Sequence, residues 1–223
     1  MEQIRLTQTN IGKCAARAAE VLRAGGVILY PTDTLYGLGV DALSDDAVSK
    51  VYAIKGRSER KPIHCITADM EMAKRYAEVG NFARLLAEEF LPGPLTLVLK
   101  KSAQGRSASG GKTGRVITGI FRGLQTIGIR IPDNEFCLAL AREFDGPVTT
   151  TSANKAGVEP ERSIKSIVKQ LGKGSSIDLA IDAGELRQSR PSTVVDLSGK
   201  EPVIVREGAI AAADVWNALR TEL

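Results

Sequence analysis

The sequence predicts an α/β protein, one mixed and twisted sheet flanked by helices, and three observations predict it. Short apolar runs of strand length alternate with longer amphipathic stretches from one end of the chain to the other. The last strand-like runs, at 179–182, 193–197 and 203–206, are grouped, which a purely parallel, doubly wound sheet does not accommodate. No internal repeat or low-complexity linker divides the 223 residues, so a single domain over 1–223 is expected, with its core at about 15–210.

The elements follow in order. Ile11, Ala15, Ala18 and Leu22 recur at helical spacing, with Gly25 placed to end the helix, and Val27–Tyr30 reads as a buried strand. The segment YPTDTLYGLG, Tyr30 to Gly39, is poor strand or helix material. Pro31 lacks a ladder donor, and Gly37 and Gly39 have no side chain to pack. A loop presenting hydroxyls and N–H groups to a ligand fits it, and so does a tight turn closing the strand. Ser44-Asp45-Asp46 opens a helix to about Lys55, with acidic residues where the helix dipole favours them. Ile63–Thr67 reads as strand, and two helices near 70–78 and 81–91 end at Pro92-Gly93-Pro94. Leu95–Lys100 returns as strand. Residues 101–125, rich in Gly, Ser, Lys and Arg, read as a long mobile connection. Thr126–Ile131 is strand, 134–144 helix and Pro147–Thr151 strand. Ser163 caps a helix ending near Gly172, and a last helix spans about 211–221.

Composition excludes several classes. With 43% hydrophobic and 25% charged residues the chain is neither disordered nor fibrous. No apolar stretch is long enough to span a bilayer and the first ten residues carry no signal-like apolar core, so no membrane role and a cytoplasmic location are expected. Cys14, Cys65 and Cys137 are too few and too scattered for a disulfide framework or a zinc site, and are expected to be buried thiols. The net charge of +4 favours anionic partners such as nucleotides or RNA without requiring them. Gly105 to Thr113 is not a phosphate-binding P-loop, because five residues instead of four separate its first glycine from Gly111-Lys112. Gly37-Leu-Gly39 is cut off from its strand by Pro31–Tyr36, which weakens a dinucleotide reading. His64 is the only histidine and no G-x-S-x-G occurs, so neither a His-rich metal site nor a serine hydrolase is expected.

What remains is a set of polar clusters at, or just beyond, the ends of the expected elements. They are Thr32 and Thr34; Lys55-Gly-Arg57; His64; Thr126 and Arg130; Thr149 to Asn154; Ser192-Thr193; and Arg206. Each has a structural reading: Lys55 and Arg57 suit a helix C-terminus, Ser152 and Asn154 a turn, His64 a core. Their joint occurrence points instead to one shared site in the crevice beyond the strand ends.

The ordered blocks YPTDTLYGLG, KGR, PGPLTLVL, TIGIRIP, TTSANKAG, STVVDL and VREGAI make the chain resemble the YrdC-like family of threonylcarbamoyl-AMP synthases over about Ala19 to Ile210. The resemblance implies a YrdC-like fold and formation of threonylcarbamoyl-adenylate from L-threonine, bicarbonate and ATP, with release of pyrophosphate. It implies Mg2+ accompanying ATP, with no metal ligand from protein side chains. A downstream threonylcarbamoyl-transferase machinery that makes N6-threonylcarbamoyladenosine in tRNA follows as partner, and direct contact with tRNA or other RNA is left open. Residue by residue it assigns Lys55, Arg57, Thr126, Ser152, Asn154 and Arg206 to ATP, with Lys55, Arg57, Ser152 and Asn154 catalytic. Thr32, His64, Arg130, Thr150 and Ser192 fall to L-threonine. The chemistry agrees, since transfer at an α-phosphorus needs positioning and charge neutralisation more than a nucleophile, and Arg130 has the planar fork that suits a carboxylate.

The chain departs from the family pattern at Ser58 and Ile63, and Glu59 stands where some members place a basic ATP contact. Its 101–125 connection is longer than usual, and it ends soon after the REGAI block, as in a short form without the extra C-terminal domain. It keeps the K-x-R and S-x-N pairs that a close paralogous branch lacks. Two other readings stay open: a non-catalytic tRNA or double-stranded RNA binding protein using the same basic cavity, and a carbamoyl-transfer module related to hydrogenase maturation proteins. The second lacks its expected cysteine motifs here.

Overall fold

The computed structural model describes residues 1–56, 62–102, 119–121, 123–172 and 174–220. Among the described residues ten strands form one sheet: β1 (Glu2–Arg5), β2 (Ile28–Pro31), β3 (Tyr36–Gly39), β4 (His64–Ile66), β5 (Leu95–Lys100), β6 (Thr126–Arg130), β7 (Val148–Ser152), β8 (Leu179–Asp182), β9 (Thr193–Asp196) and β10 (Val203–Arg206). Their order is β1-β8-β2-β3-β7-β4-β6-β5-β9-β10. Parallel pairs such as β4–β6 and β5–β9 are interspersed with antiparallel ones such as β4–β7 and β5–β6, so the sheet is mixed, as the grouped late strands predict.

The described helices are α1 (Ile11–Arg23), α2 (Asp45–Lys55), α3 (Met70–Lys74), α4 (Asn81–Phe90), α5 (Glu135–Phe144), α6 (Ile164–Leu171) and α7 (Ala212–Leu219). Their starts follow cap chemistry: Ser44, Asn134 and Ser163 each accept a backbone N–H from the first turn. Strand alternation then sends side chains to opposite faces. On β5, Leu95, Leu97 and Leu99 enter a large core shared with α2, α4, α6 and α7. On the other face, Ile28, Tyr30, Ile66 and Val148 pack under α1 and α5, through Ala15, Ala18, Leu22, Phe136 and Leu140. The three cysteines are buried free thiols in these cores. No described helix is long and apolar enough to cross a membrane.

The structure differs from the sequence reading in three places. β1 was not expected, because Glu2–Arg5 shows no alternation; it becomes strand by pairing in parallel with β8. YPTDTLYGLG, poor strand material by sequence, forms a hairpin, with β2 and β3 antiparallel and all four residues of Tyr36–Gly39 buried. Its glycines serve packing. A Cβ on Gly39 would lie 2.8 Å from the Tyr30 ring, so the glycine makes room for that ring across the ladder. The helix expected to about 78 ends at Lys74, and the chain then bridges Ala77 to Lys101. The expected mobile connection falls mostly on residues 103–118, outside the described residues; beside it Ile120 and Phe121 are buried, and the Lys101 ammonium sits 4.0 Å over the Phe121 ring.

Candidate functional site

One face of the sheet, beside the α1–α5 core, is covered by none of the described helices and forms a cavity of about 1200 Å3. That exceeds the usual size of a single-ligand pocket and leaves room for two substrates. The cavity reaches beyond strand ends, where Thr34 and Ser192 line it, and also lies over the middle of strands. Alternation explains why. Thr126, Gly128 and Arg130 of β6, Thr96 and Val98 of β5, and Val194 and Asp196 of β9 are the residues between those that enter the large core. Register sets them in rows. His64 stands opposite Thr150 across β4–β7, and Val98 opposite Gly128 across β5–β6. The His64 ring lies over Gly128, where a Cβ would meet it at 2.4 Å.

Of the residues assigned by resemblance, Thr32, His64, Arg130, Thr150 and Ser192 all line the cavity, as do Thr126, Ser152 and Arg206. Lys55 and Asn154 do not. Lys55 is buried, only 3% exposed, so it is not the solvated cation that its place at a helix end suggested. Its Nζ donates to the Ser152 carbonyl and, at 3.0 and 3.1 Å, to the carbonyl and Oδ1 of Asn154. The Ser152 hydroxyl donates in turn to Asn154 Oδ1 at 2.5 Å. Lys55 therefore braces from behind the turn that presents Ser152. Arg57, with Ser58 and Glu59, lies outside the described residues.

At the hairpin, the Thr32 hydroxyl is spent on the turn. It donates to the Leu35 carbonyl at 2.7 Å and accepts the N–H groups of Thr34 and Leu35 at 3.1 Å each. Arg130 is buried against this turn, its Nε donating to the Gly93 carbonyl, Nη1 to Thr34 Oγ1 at 3.0 Å and Nη2 to Asp33 Oδ1 at 2.6 Å. Across the cavity, Arg206 donates from Nη2 to the Ser192 carbonyl at 2.8 Å, and the Ser192 and Thr96 hydroxyls lie 2.9 Å apart.

Arg206 reaches its place by a bulge. Ile204 pairs with Val195 and Arg206 with Val194, so Val205 is an extra residue on β10, and Val205 and Arg206 both face the cavity. Burial lowers the Arg206 pKa from its ordinary value, and the nearby Arg130 charge lowers it further. Two guanidiniums thus line one cavity, an arrangement that suits an anionic ligand. Tyr36, also on the wall, is pushed up to about 12 by burial and stays protonated, donating to the Gly184 carbonyl.

Sequence reasoning missed Asp33, Thr96, Gly128 and Val205. A lone carboxylate inside a buried segment signals a hidden cation partner, and a mid-strand glycine signals close approach of another group. For the bulge at Val205 the sequence carries no comparable signal.

Fold and site together define an α/β protein with a cationic, hydroxyl-lined cavity on a mixed sheet. The family profile Sua5–YciO–YrdC, described as telomere recombination, matches residues 20–208, and the chain belongs to that family. It is 36% identical over 204 residues to the threonylcarbamoyl-AMP synthase of Pyrococcus abyssi, a match spanning 91% of this chain and 56% of that protein. The chain thus covers little more than half of that relative's length. The structure of P. abyssi Sua5 complexed with L-threonine superposes with a TM-score of 0.83 at 32% identity, covering 98% of this chain and 60% of that one. E. coli YciO superposes with a TM-score of 0.77 at 30% identity and covers 94% of this chain and 96% of its own.

Proposed function

We propose that this cavity binds MgATP and L-threonine together and joins them with bicarbonate into threonylcarbamoyl-AMP, releasing pyrophosphate. The observation that carries the proposal is the pair of guanidiniums, Arg130 and Arg206, lining one cavity large enough for two substrates. The kinship with threonylcarbamoyl-AMP synthases supports it. In this reading Arg130 receives the threonine carboxylate as a planar fork. His64, Thr150 and Ser192 read the threonine hydroxyl and amine, while Thr32 shapes their wall through its turn. Arg206, Thr126 and Ser152 meet the nucleotide, with Lys55 and Asn154 setting the turn that carries Ser152. The amine adds to the bicarbonate carbon with loss of water. A carbamate oxygen then displaces pyrophosphate from the α-phosphorus. The protein's part is alignment and charge neutralisation. Magnesium enters with the triphosphate; among the described residues no cluster of three or more His, Cys, Asp or Glu offers it a protein site. The adenylate is then consumed by a threonylcarbamoyl-transfer step on tRNA.

The test is pyrophosphate release with ATP, bicarbonate and threonine, omitting each in turn. Release is expected only with all three present; equal release without threonine or bicarbonate overturns the proposal. Salt-dependent RNA binding with no pyrophosphate release would support a non-catalytic RNA-binding protein instead. Selectivity sharpens the test. Threonine should exceed serine, and serine exceed valine, because a hydroxyl-reading site leaves polar groups unpaired against valine at about 1–3 kcal/mol each. Valine turned over as fast as serine would refute that part.

A further inference from the structure

Asp33 sits at the centre of the hairpin turn and takes no part in holding it. The turn's N–H groups at Thr34 and Leu35 are already satisfied by the Thr32 hydroxyl. The Asp33 carboxylate makes one bond, its Oδ1 accepting Arg130 Nη2 at 2.6 Å, while its Oδ2 is buried with no hydrogen-bond partner. Both side chains are nearly closed to solvent, 6% exposed for Arg130 and 11% for Asp33. A carboxylate so placed is costly unless its one partner is held in fixed geometry. Arg130 is held on three sides, by the Gly93 carbonyl, Thr34 Oγ1 and Asp33 Oδ1. These bonds use three of a guanidinium's five N–H groups and leave one on each terminal nitrogen for a ligand.

We propose that Asp33 is a positioning residue for amino-acid carboxylate recognition: it fixes the rotation of Arg130 so that the two remaining N–H groups meet the substrate carboxylate. The inference rests on the reading of Arg130 as the residue that receives that carboxylate. It has a counter-intuitive sign. If Asp33 served only to balance charge, removing it would leave Arg130 more positive and strengthen anion binding. If it serves to orient, removing it weakens binding, and asparagine, which keeps one acceptor, falls between aspartate and alanine.

The experiment measures affinities for L-threonine and for L-threoninamide, which lacks the carboxylate, in wild type, Asp33→Asn and Asp33→Ala, with ATP affinity alongside. The preference for threonine over threoninamide is a ratio within one protein and does not depend on how much of a variant is folded. That preference is expected to shrink by about threefold in Asp33→Asn and about tenfold or more in Asp33→Ala, with ATP affinity within about twofold. An unchanged or enlarged preference in either variant overturns the proposal. Equal loss of threonine, threoninamide and ATP also overturns it, in favour of a purely structural role. The parallel variant Arg130→Ala separates the two claims: if it keeps the wild-type preference for threonine, the assignment of Arg130 fails. If Arg130→Ala abolishes the preference while both Asp33 variants retain it, only the role of Asp33 fails.

Discussion

Two corners of the cavity each set a cation against a tight turn, and they use that cation in opposite ways. At the hairpin, Arg130 is buried against the 32–35 turn and still lines the cavity. At the exit of β7, Lys55 is buried against the 152–154 turn and does not. The difference is one of donor number. An ammonium has three N–H groups, and Lys55 directs its own to three acceptors on that turn. A guanidinium has five and can be anchored while keeping two for a ligand. A buried arginine can therefore be scaffold and ligand site at once, whereas a lysine bonded to three acceptors has fewer donors to share.

The sharpest way to break the contrast is Arg130→Ala. It removes the proposed carboxylate-binding group and strands Asp33, so it should cost about 3–5 kcal/mol of stability. The accompanying loss of threonine-dependent turnover should be about 100-fold or more. Urea denaturation and pyrophosphate release measure the two, and a stable variant with normal turnover would void the comparison. Lys55→Ala comes next. It should destabilise the protein by about 2–3 kcal/mol through the lost charged hydrogen bonds, with turnover falling because Ser152 is no longer held. Loss of activity with unchanged stability would show instead that Lys55 acts directly on substrate. Gly128→Ala tests the wall between the corners. Its methyl would drive the His64 ring aside, raising the threonine KM by about tenfold at a cost of about 1–3 kcal/mol. An unaltered KM would remove His64 from the threonine site. The smallest effect is expected at Val203, 56% exposed on an edge strand, where Val203→Thr should stay within about 0.5 kcal/mol and leave turnover unchanged.

Much of the fold was legible because local chemistry and tertiary packing agree. Ser44 and Ser163 cap where the sequence places them, Gly56 takes the left-handed turn that ends α2, and Leu95–Lys100 alternates faces as its pattern implies. β3 was not legible, because Gly37 and Gly39 look like breakers until the Tyr30 ring is known to lie across them. In the site, residue types were legible and their tasks less so. Arg130 could be read as a ligand group, but not its bond to Asp33, 97 positions away in the chain. Thr32 and Lys55 could be read as polar groups near a ligand, but only the geometry shows their hydrogen bonds committed to turns.

The bulge at Val205 has a consequence away from the cavity. A ten-stranded sheet ends in two raw edges, each a row of backbone groups on which another chain could assemble. On β1 that row is flanked by Glu2, Gln3 and Arg5, whose exposed polar side chains discourage it. β10 is guarded less, for Val203 and Val205 are among the most exposed large apolar side chains described, at 56% and 61%. The inserted residue breaks the even spacing of its backbone groups, so an incoming strand cannot keep register along it. The same irregularity that delivers Arg206 inward therefore protects the protein from self-assembly outward.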